Sequence, residues 1–515
     1  MPRTIRDLAC LIICVPAFIA CSPQGGPGED PGPGDQILHI GNADEPQDLD
    51  PHIVTGLPEH RILSALLEGL VGKDPADLSP IPAAAGSWDQ SEDGKTYVFH
   101  LRETGKWSNG DPLTANDFVY SWQRALTAEL GNQYAYMLYP IVNAERFHKG
   151  LIKDFSRVGV KALDRLSLQV HLSDPVPYFL ELLDHYSTFP VHQPTIEQFG
   201  AFHTRGTAWT RAGNFTGNGP FLLAKWEQNK VIIARKNPRY WGAENVRLQA
   251  IHFHPVQQAT TEERMFRTGQ LDVTSGIPGE KVVSYQQNNP QALRRHAYLG
   301  TYFYRFNTTR PPLDDVRVRR ALAMSIDRQA IVEKITKGGE LPAYALTPPG
   351  TGGYTARASI PYDIGQAREL LAAAGYPDGR GFPGLQLLYN TSENHRKIAL
   401  AVQQMWKRAL NIDVVLQNQD WKVYLDRERS MDYEISRAAW IGDYVDPNTF
   451  LDMFVTGNGN NRTGWSNRRY DELIARAAAT AGRQQRHELF QQAEEILISE
   501  VPVAPVYLYS RIHLV

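Results

Sequence analysis

Alternation of apolar and polar positions marks the strands of this chain. TYVFHLR (96–102) alternates as a half-buried strand does, and ALDRLSLQVHL (162–172) reads as a turn followed by a second one. FLLAKWEQNKVIIARK (221–236) reads as a hairpin turning at Gln228-Asn229, LQLLYN (385–390) as a buried strand, and QILHIGNADEP, from Gln36, as a strand and a turn. Helical spacing is as plain. Thr114 followed by Asp117 opens a helix whose Phe118, Trp122, Ala125 and Leu126 share a face. Residues 314–339 read as a helical region ended by glycines, with Asp314 and Asp315 complementing the dipole at its start. Residues 366–374 form a helix closed by Gly375, and 487–500 a last one. From His395 to Leu410 the apolar face is Ile398, Val402, Met405 and Trp406. Strands and helices alternate irregularly, which predicts an α/β architecture with mixed sheets. One stretch breaks its own pattern. After the alternating DYEIS, RAAWIGD (437–443) sets an arginine, a tryptophan and an aspartate into what is otherwise a buried strand.

At 515 residues the chain exceeds one simple core, so two or three lobes are expected. A 42% hydrophobic, 21% charged composition is that of an ordinary globular protein. Net charge is −3 with no long basic block, which argues against a nucleic-acid partner. The first residues read as an address. A basic MPRTIR precedes an apolar run from Leu8 to Ala20, too short for the ~20 residues a membrane span needs and suited to a secretory signal. Phe18-Ile19-Ala20-Cys21 resembles the bacterial lipoprotein cleavage box, which would make 1–21 a signal peptide ending at a lipidated Cys21; a plain signal cut elsewhere is the alternative. Ser22 then hints at the outer membrane. Cys10, Cys14 and Cys21 are the three cysteines, so the body beyond them carries no disulfide and no cysteine-bound metal. Residues 22–35, rich in Pro and Gly, read as a tether holding the body at a membrane surface in the cell envelope or periplasm.

Catalytic signatures are missing: no GxSxG, GxxxxGK[ST], HExxH or helix-opening GxGxxG occurs. His252 and His254, in IHFHP, share one face of a strand. Without a nearby carboxylate or cysteine they read as polar strand residues, so neither metal nor cofactor is expected. An exported, tethered α/β chain without catalytic motifs points to binding.

Several ordered blocks then resemble the extracellular solute-binding proteins of peptide ABC importers, and among them the oligopeptide binders: TYVFHLRETGKWSNGDPLTANDFVYSWQRAL (96–126), DLDPHIV (48–54), YWGAENV (240–246), PPLDDVRVRRALAMSIDR (311–328), LLAAAGYPDG (370–379), LLYNTSENHRKIA (387–399) and VPVAPVYLYS (501–510). The resemblance runs from Gln36 to Val515. It implies a bilobal periplasmic-binding-protein fold of the cluster C type, with an extra N-terminal lobe and two hinge strands near 296–307 and 501–510. Lobe I would comprise 36–68, 191–295 and 506–515, the extra lobe II 69–190, and lobe III 296–505. It also implies a monomer that binds short peptides and hands them to membrane permease subunits.

The odd stretch gains a meaning from this. If extended, Arg437 and Asp443 stand roughly 20 Å apart at ~3.3 Å per residue, too far to neutralise each other, and a zwitterionic peptide supplies a partner to both. In the resembled family the Asp443 position holds the peptide's ammonium and Arg437 belongs to the cations meeting its carboxylate. Trp440 flanks a side chain, while Lys337 and His395 match further carboxylate-end cations. Tyr134, Asn218 and Trp421 match cleft-lining positions. Two departures stand out: Glu428 replaces a family arginine, and Thr55 a glutamate. The family also continues past the strand ending here at Val515. Competing readings are a specialised binder of cell-wall (murein) peptides, an exported peptidase, and a structural lipoprotein in which Arg437 and Asp443 pair within the protein.

Overall fold

A computed structural model describes residues 36–480 and 482–515. The signal, Cys21 and the tether over 22–35 lie outside the described residues. Among those described, no helix is long and apolar enough to cross a membrane.

Local sequence decides most elements. Helix Ala115–Leu126 opens with a reciprocal Thr114/Asp117 capping box, and its Phe118, Trp122, Ala125 and Leu126 are fully buried. They cover a four-stranded sheet ordered Ala85–Gln90, Thr96–Leu101, Ser167–His171, Val160–Ala162. A second four-stranded sheet carries the expected hairpin, Phe221–Glu227 with Val231–Lys236; next to it run Ala250–His254 and, parallel to that strand, Ile37–Gly41.

The third sheet has six strands, ordered Leu341–Pro342, Val503–Leu514, Leu293–Phe306, Ile435–Ile441, Leu385–Asn390, Val414–Gln419. Helix Glu393–Leu410 buries Ile398, Val402 and Trp406 against it. Its two longest strands, Leu293–Phe306 and Val503–Leu514, pair antiparallel, with a register break between Ala297 and Thr301. Beyond the break they leave this core: Leu293 and Leu514 pack near Ile277 and Val282 instead. The two strands therefore link separately packed regions.

Two expectations shift at helix ends. The helical region 314–339 comes in three pieces, Val316–Met324, Arg328–Ile331 and a wider turn Val332–Thr336. The Ser325 hydroxyl turns back onto the Ala321 and Leu322 carbonyls, and the Asp327 carboxylate caps the Ala330 N–H to restart the helix. The last helix begins a turn early, at Arg483. Its Arg486, polar in sequence, is buried at 2.5 Å from Asp446.

Candidate functional site

Strand Ile435–Ile441 is central in its sheet, with Arg437 in register with Tyr304 of the neighbouring strand. The Arg437 side chain is 9% exposed. One Nη donates to Asn390 Oδ1 at 3.2 Å, the other to the Tyr509 hydroxyl at 3.0 Å, and the guanidinium lies 4.9 Å from the Tyr302 ring centre. Among the described residues no carboxylate ion-pairs with it, and Nε has no hydrogen-bond partner. Glu434 binds the Gln386 N–H instead. His395, in the first turn of its helix, packs 5.7 Å from the same Tyr302 ring. Burial, with the Arg437 charge, holds its imidazole well below the usual histidine range, so it is neutral, and Nδ1 has no partner.

Past the strand the chain bends at Gly442 and Asp443. The Asp443 main chain is fixed from both sides: its N–H donates to Thr449 Oγ1 at 3.0 Å and its carbonyl accepts from Lys73 Nζ at 2.9 Å. The carboxylate fares worse. Oδ1 lies 3.6 Å from His185 Nε2, and Oδ2 has no partner. His185 is itself held neutral by burial and by His60 and Lys73, while the Lys73 ammonium is shared with Asp184 at 2.9 Å. Burial therefore pushes the Asp443 carboxyl up to about 7, against the pull of Lys73.

Aromatic walls join the poles. Trp440 is buried, its indole N–H without a partner, 6.1 Å from the Tyr134 ring. Tyr134 in turn packs 4.4 Å from His185. Trp421 stacks on Tyr424 at 5.6 Å and reaches Glu59 Oε1 at 3.4 Å. The Tyr424 hydroxyl donates to the Arg437 carbonyl. Burial lifts Glu59 to about 7 and, against Gln257 and Arg437, Asp44 to about 6.

Glu428, where the resembled family has arginine, forms a buried triad with Arg305 at 3.0 Å and Arg462 at 3.1 Å, and accepts from Ser436 Oγ at 2.8 Å. Burial would raise its carboxyl, but the two guanidiniums bring it below the ordinary carboxylate range. Arg462 also donates to Gln133 and contacts Thr55 Oγ1 at 3.5 Å, the position of the second departure.

Two expected residues differ. The carboxamide of Asn218 is engaged with the Glu68 main chain, at 3.0 Å to its N–H and 2.8 Å to its carbonyl, and so clamps a loop. Lys337 is exposed, caps its helix in the left-handed conformation, and makes no side-chain contact with the Arg437 group. Residues not anticipated are Lys73, His185, Asn390, Tyr302 and Tyr509. Only Asn390, a polar end to a buried strand, carried a signal readable in the sequence.

Contacts between regions far apart in sequence are extensive. Tyr178 stacks on Tyr444 at 4.8 Å, Lys397 pairs with Glu280 at 3.0 Å, and Thr260 Oγ1 donates to Glu393 at 2.6 Å. Two packed bodies joined by paired strands, with buried Arg437 and Asp443 side chains left without a full counter-charge, are the arrangement of a ligand-capturing protein of the periplasmic-binding class. Residues 79–462 match the model of bacterial extracellular solute-binding proteins, family 5, and the chain belongs to that family. It is 37% identical over 491 residues to the periplasmic oligopeptide-binding protein OppA of Escherichia coli, covering 93% of this chain and 88% of that one. The Escherichia coli murein tripeptide binding protein MppA superposes with a TM-score of 0.89 at 36% identity over 94% of both chains. Haemophilus influenzae OppA in complex with RPPGFSPFR gives 0.87 at 34% identity, covering 94% of this chain and 95% of that one. MppA in its unliganded open form gives only 0.61, covering 96% of this chain and 94% of that one, at 36% identity. The two bodies here are thus drawn together, in an arrangement unlike that open form.

Proposed function

We propose that this protein captures short peptides in the envelope by their charged ends and main chain, and delivers them to the permease of an ABC importer while anchored through Cys21. Asp443 receives the peptide ammonium, and Arg437, with His395 beside it, the carboxylate; Trp440, Tyr134 and Trp421 line the path between. The observation that carries this is a pair of buried opposite charges, on one strand and the bend after it, paired neither with each other nor with another full charge on the side chain. An unpaired buried charge costs several kcal/mol, and a zwitterion of suitable length relieves both. Peptide main chain would pair with strand edges as an added strand, and hydrated pockets would tolerate varied side chains. Closure then follows from a ligand touching both lobes. We assign the lobes as 36–68, 191–295 and 506–515; 69–190; and 296–505.

Calorimetry with free trialanine, N-acetyl-trialanine and trialanine amide tests this. Tight binding of the free peptide alone is expected. Equal binding of all three would remove the two-pole clamp.

A second reading draws on the triad. Two arginines against one glutamate leave a buried excess of positive charge beside Thr55, which favours an acidic residue in the ligand, as in cell-wall peptides. A murein tripeptide binding more tightly than trialanine would favour it.

A further inference from the structure

Away from the peptide cleft, the sheet containing Ile37–Gly41 brings together three histidines. His252 and His254 share a face of strand Ala250–His254, and the parallel strand Ile37–Gly41 sets His39 directly opposite His252. Sequence put the first two on one face; the third comes from 213 residues away. One ring nitrogen from each lies within 4.8 Å of the other two. His39 Nδ1 and His254 Nε2 are 3.2 Å apart, and the His39 ring centre is 4.7 Å from that of His252 and 5.4 Å from that of His254. All three are half-buried, so a hydrated ion can reach them. Neighbouring Leu38, Ile40, Ile251 and Phe253 alternate with them along the same two strands, which fixes the face the imidazoles share.

We propose that His39, His252 and His254 form a site for a borderline divalent transition metal, Zn²⁺ or its near equivalents Cu²⁺ and Ni²⁺, with the remaining coordination position open to water. Neutral imidazole suits these ions, and three histidines plus water is a known tetrahedral set. Tetrahedral bonds of ~2.0–2.1 Å put ligand nitrogens about 3.3 Å apart. The 3.2 Å pair already meets that spacing, and the third nitrogen needs a side-chain adjustment on the order of 1 Å. A bound ion would pin the first strand of the body to a strand far along the chain, closing a long loop of the kind whose cross-linking restricts the unfolded chain most.

The purified chain, dialysed against chelator, is titrated with ZnCl₂ in competition with a chromophoric chelator, beside His39→Ala and His254→Ala. One equivalent bound with micromolar or tighter Kd is expected, weakened at least tenfold in each variant, together with a rise in wild-type Tm on adding Zn²⁺ that both variants lack. Circular dichroism and peptide affinity matching wild type establish that the variants are folded. If a variant does not fold, CuCl₂ titration of the wild type decides through the electron paramagnetic resonance of the bound ion: coupling to three imidazole nitrogens supports the site. No stoichiometric binding, or binding unchanged in both variants, overturns it.

Discussion

The surroundings of Arg437 and Asp443 are built in opposite ways. Arg437 is surrounded by neutral dipoles and an aromatic face, from Asn390, Tyr509 and Tyr302. Asp443 has its main chain fixed firmly but its carboxylate left with a distant neutral imidazole and an unused oxygen. The reason is chemical. Arginine cannot shed its proton in a protein, so burial obliges the fold to solvate it. A carboxylate escapes burial by taking up a proton, and Asp443 at about 7 sits where it can do so. Arg437 is permanently charged; Asp443 would become fully charged only with a cation bound beside it.

Glu428 sharpens the contrast because it is a buried charge whose partners are internal. Glu428→Ala leaves Arg305 and Arg462 facing each other, and stability should fall by ~3–5 kcal/mol in urea unfolding without ligand. The poles should behave the other way round. Arg437→Ala and Asp443→Asn should each weaken trialanine binding by ~2–5 kcal/mol, while in Asp443→Asn ligand-free stability stays level or rises, because it removes a charge with no internal counter-charge. Loss of stability in Asp443→Asn as large as in Glu428→Ala would mean that Asp443 serves the fold.

How far this was legible depends on whether a signal was local. The Thr114/Asp117 cap, the 221–236 hairpin and the 395–410 helix face announce themselves within a few residues, and the structure has all three. Charge on a buried strand was equally visible at Arg437. What encloses it was not: Asn390 and Tyr509 come from strands far away in sequence, and Lys73 and His185 reach Asp443 from another region altogether. Asn218 shows a different limit. Its side chain satisfies main-chain groups at Glu68, a use no motif distinguishes from ligand contact.

The protonation difference should be measurable directly. With a folded value near 7 against an ordinary 3.8, Asp443 holds its proton in the free protein at pH 6. Its contribution to ligand-free stability is therefore greatest at low pH and is lost as pH rises through 4 to 7, the reverse of a salt-bridged carboxylate. A peptide ammonium favours the ionised form, so binding releases a proton. Calorimetry in buffers of different ionisation enthalpy should find close to one proton released per trialanine at pH 6, falling to about half a proton at pH 7, with affinity rising roughly fivefold between. Asp443→Asn should abolish the difference. If it does not, Asp44 and Glu59, also raised by burial, are the groups that titrate.

The smallest expected effect belongs to Lys337. An exposed ammonium acts through water, where charges separated by more than ~8 Å are largely screened at physiological salt, and it has no fixed contact with the Arg437 group. Lys337→Ala should change the trialanine Kd by less than about twofold, in keeping with the ~0–1 kcal/mol typical of exposed ion pairs. Lowering the salt should enlarge the effect, and a longer peptide whose carboxylate extends beyond Arg437 should enlarge it further. A tenfold loss for trialanine at physiological salt would place Lys337 against the carboxylate. The permanently charged pole would then be two cations wide, with Arg437 contributing less than its burial implies.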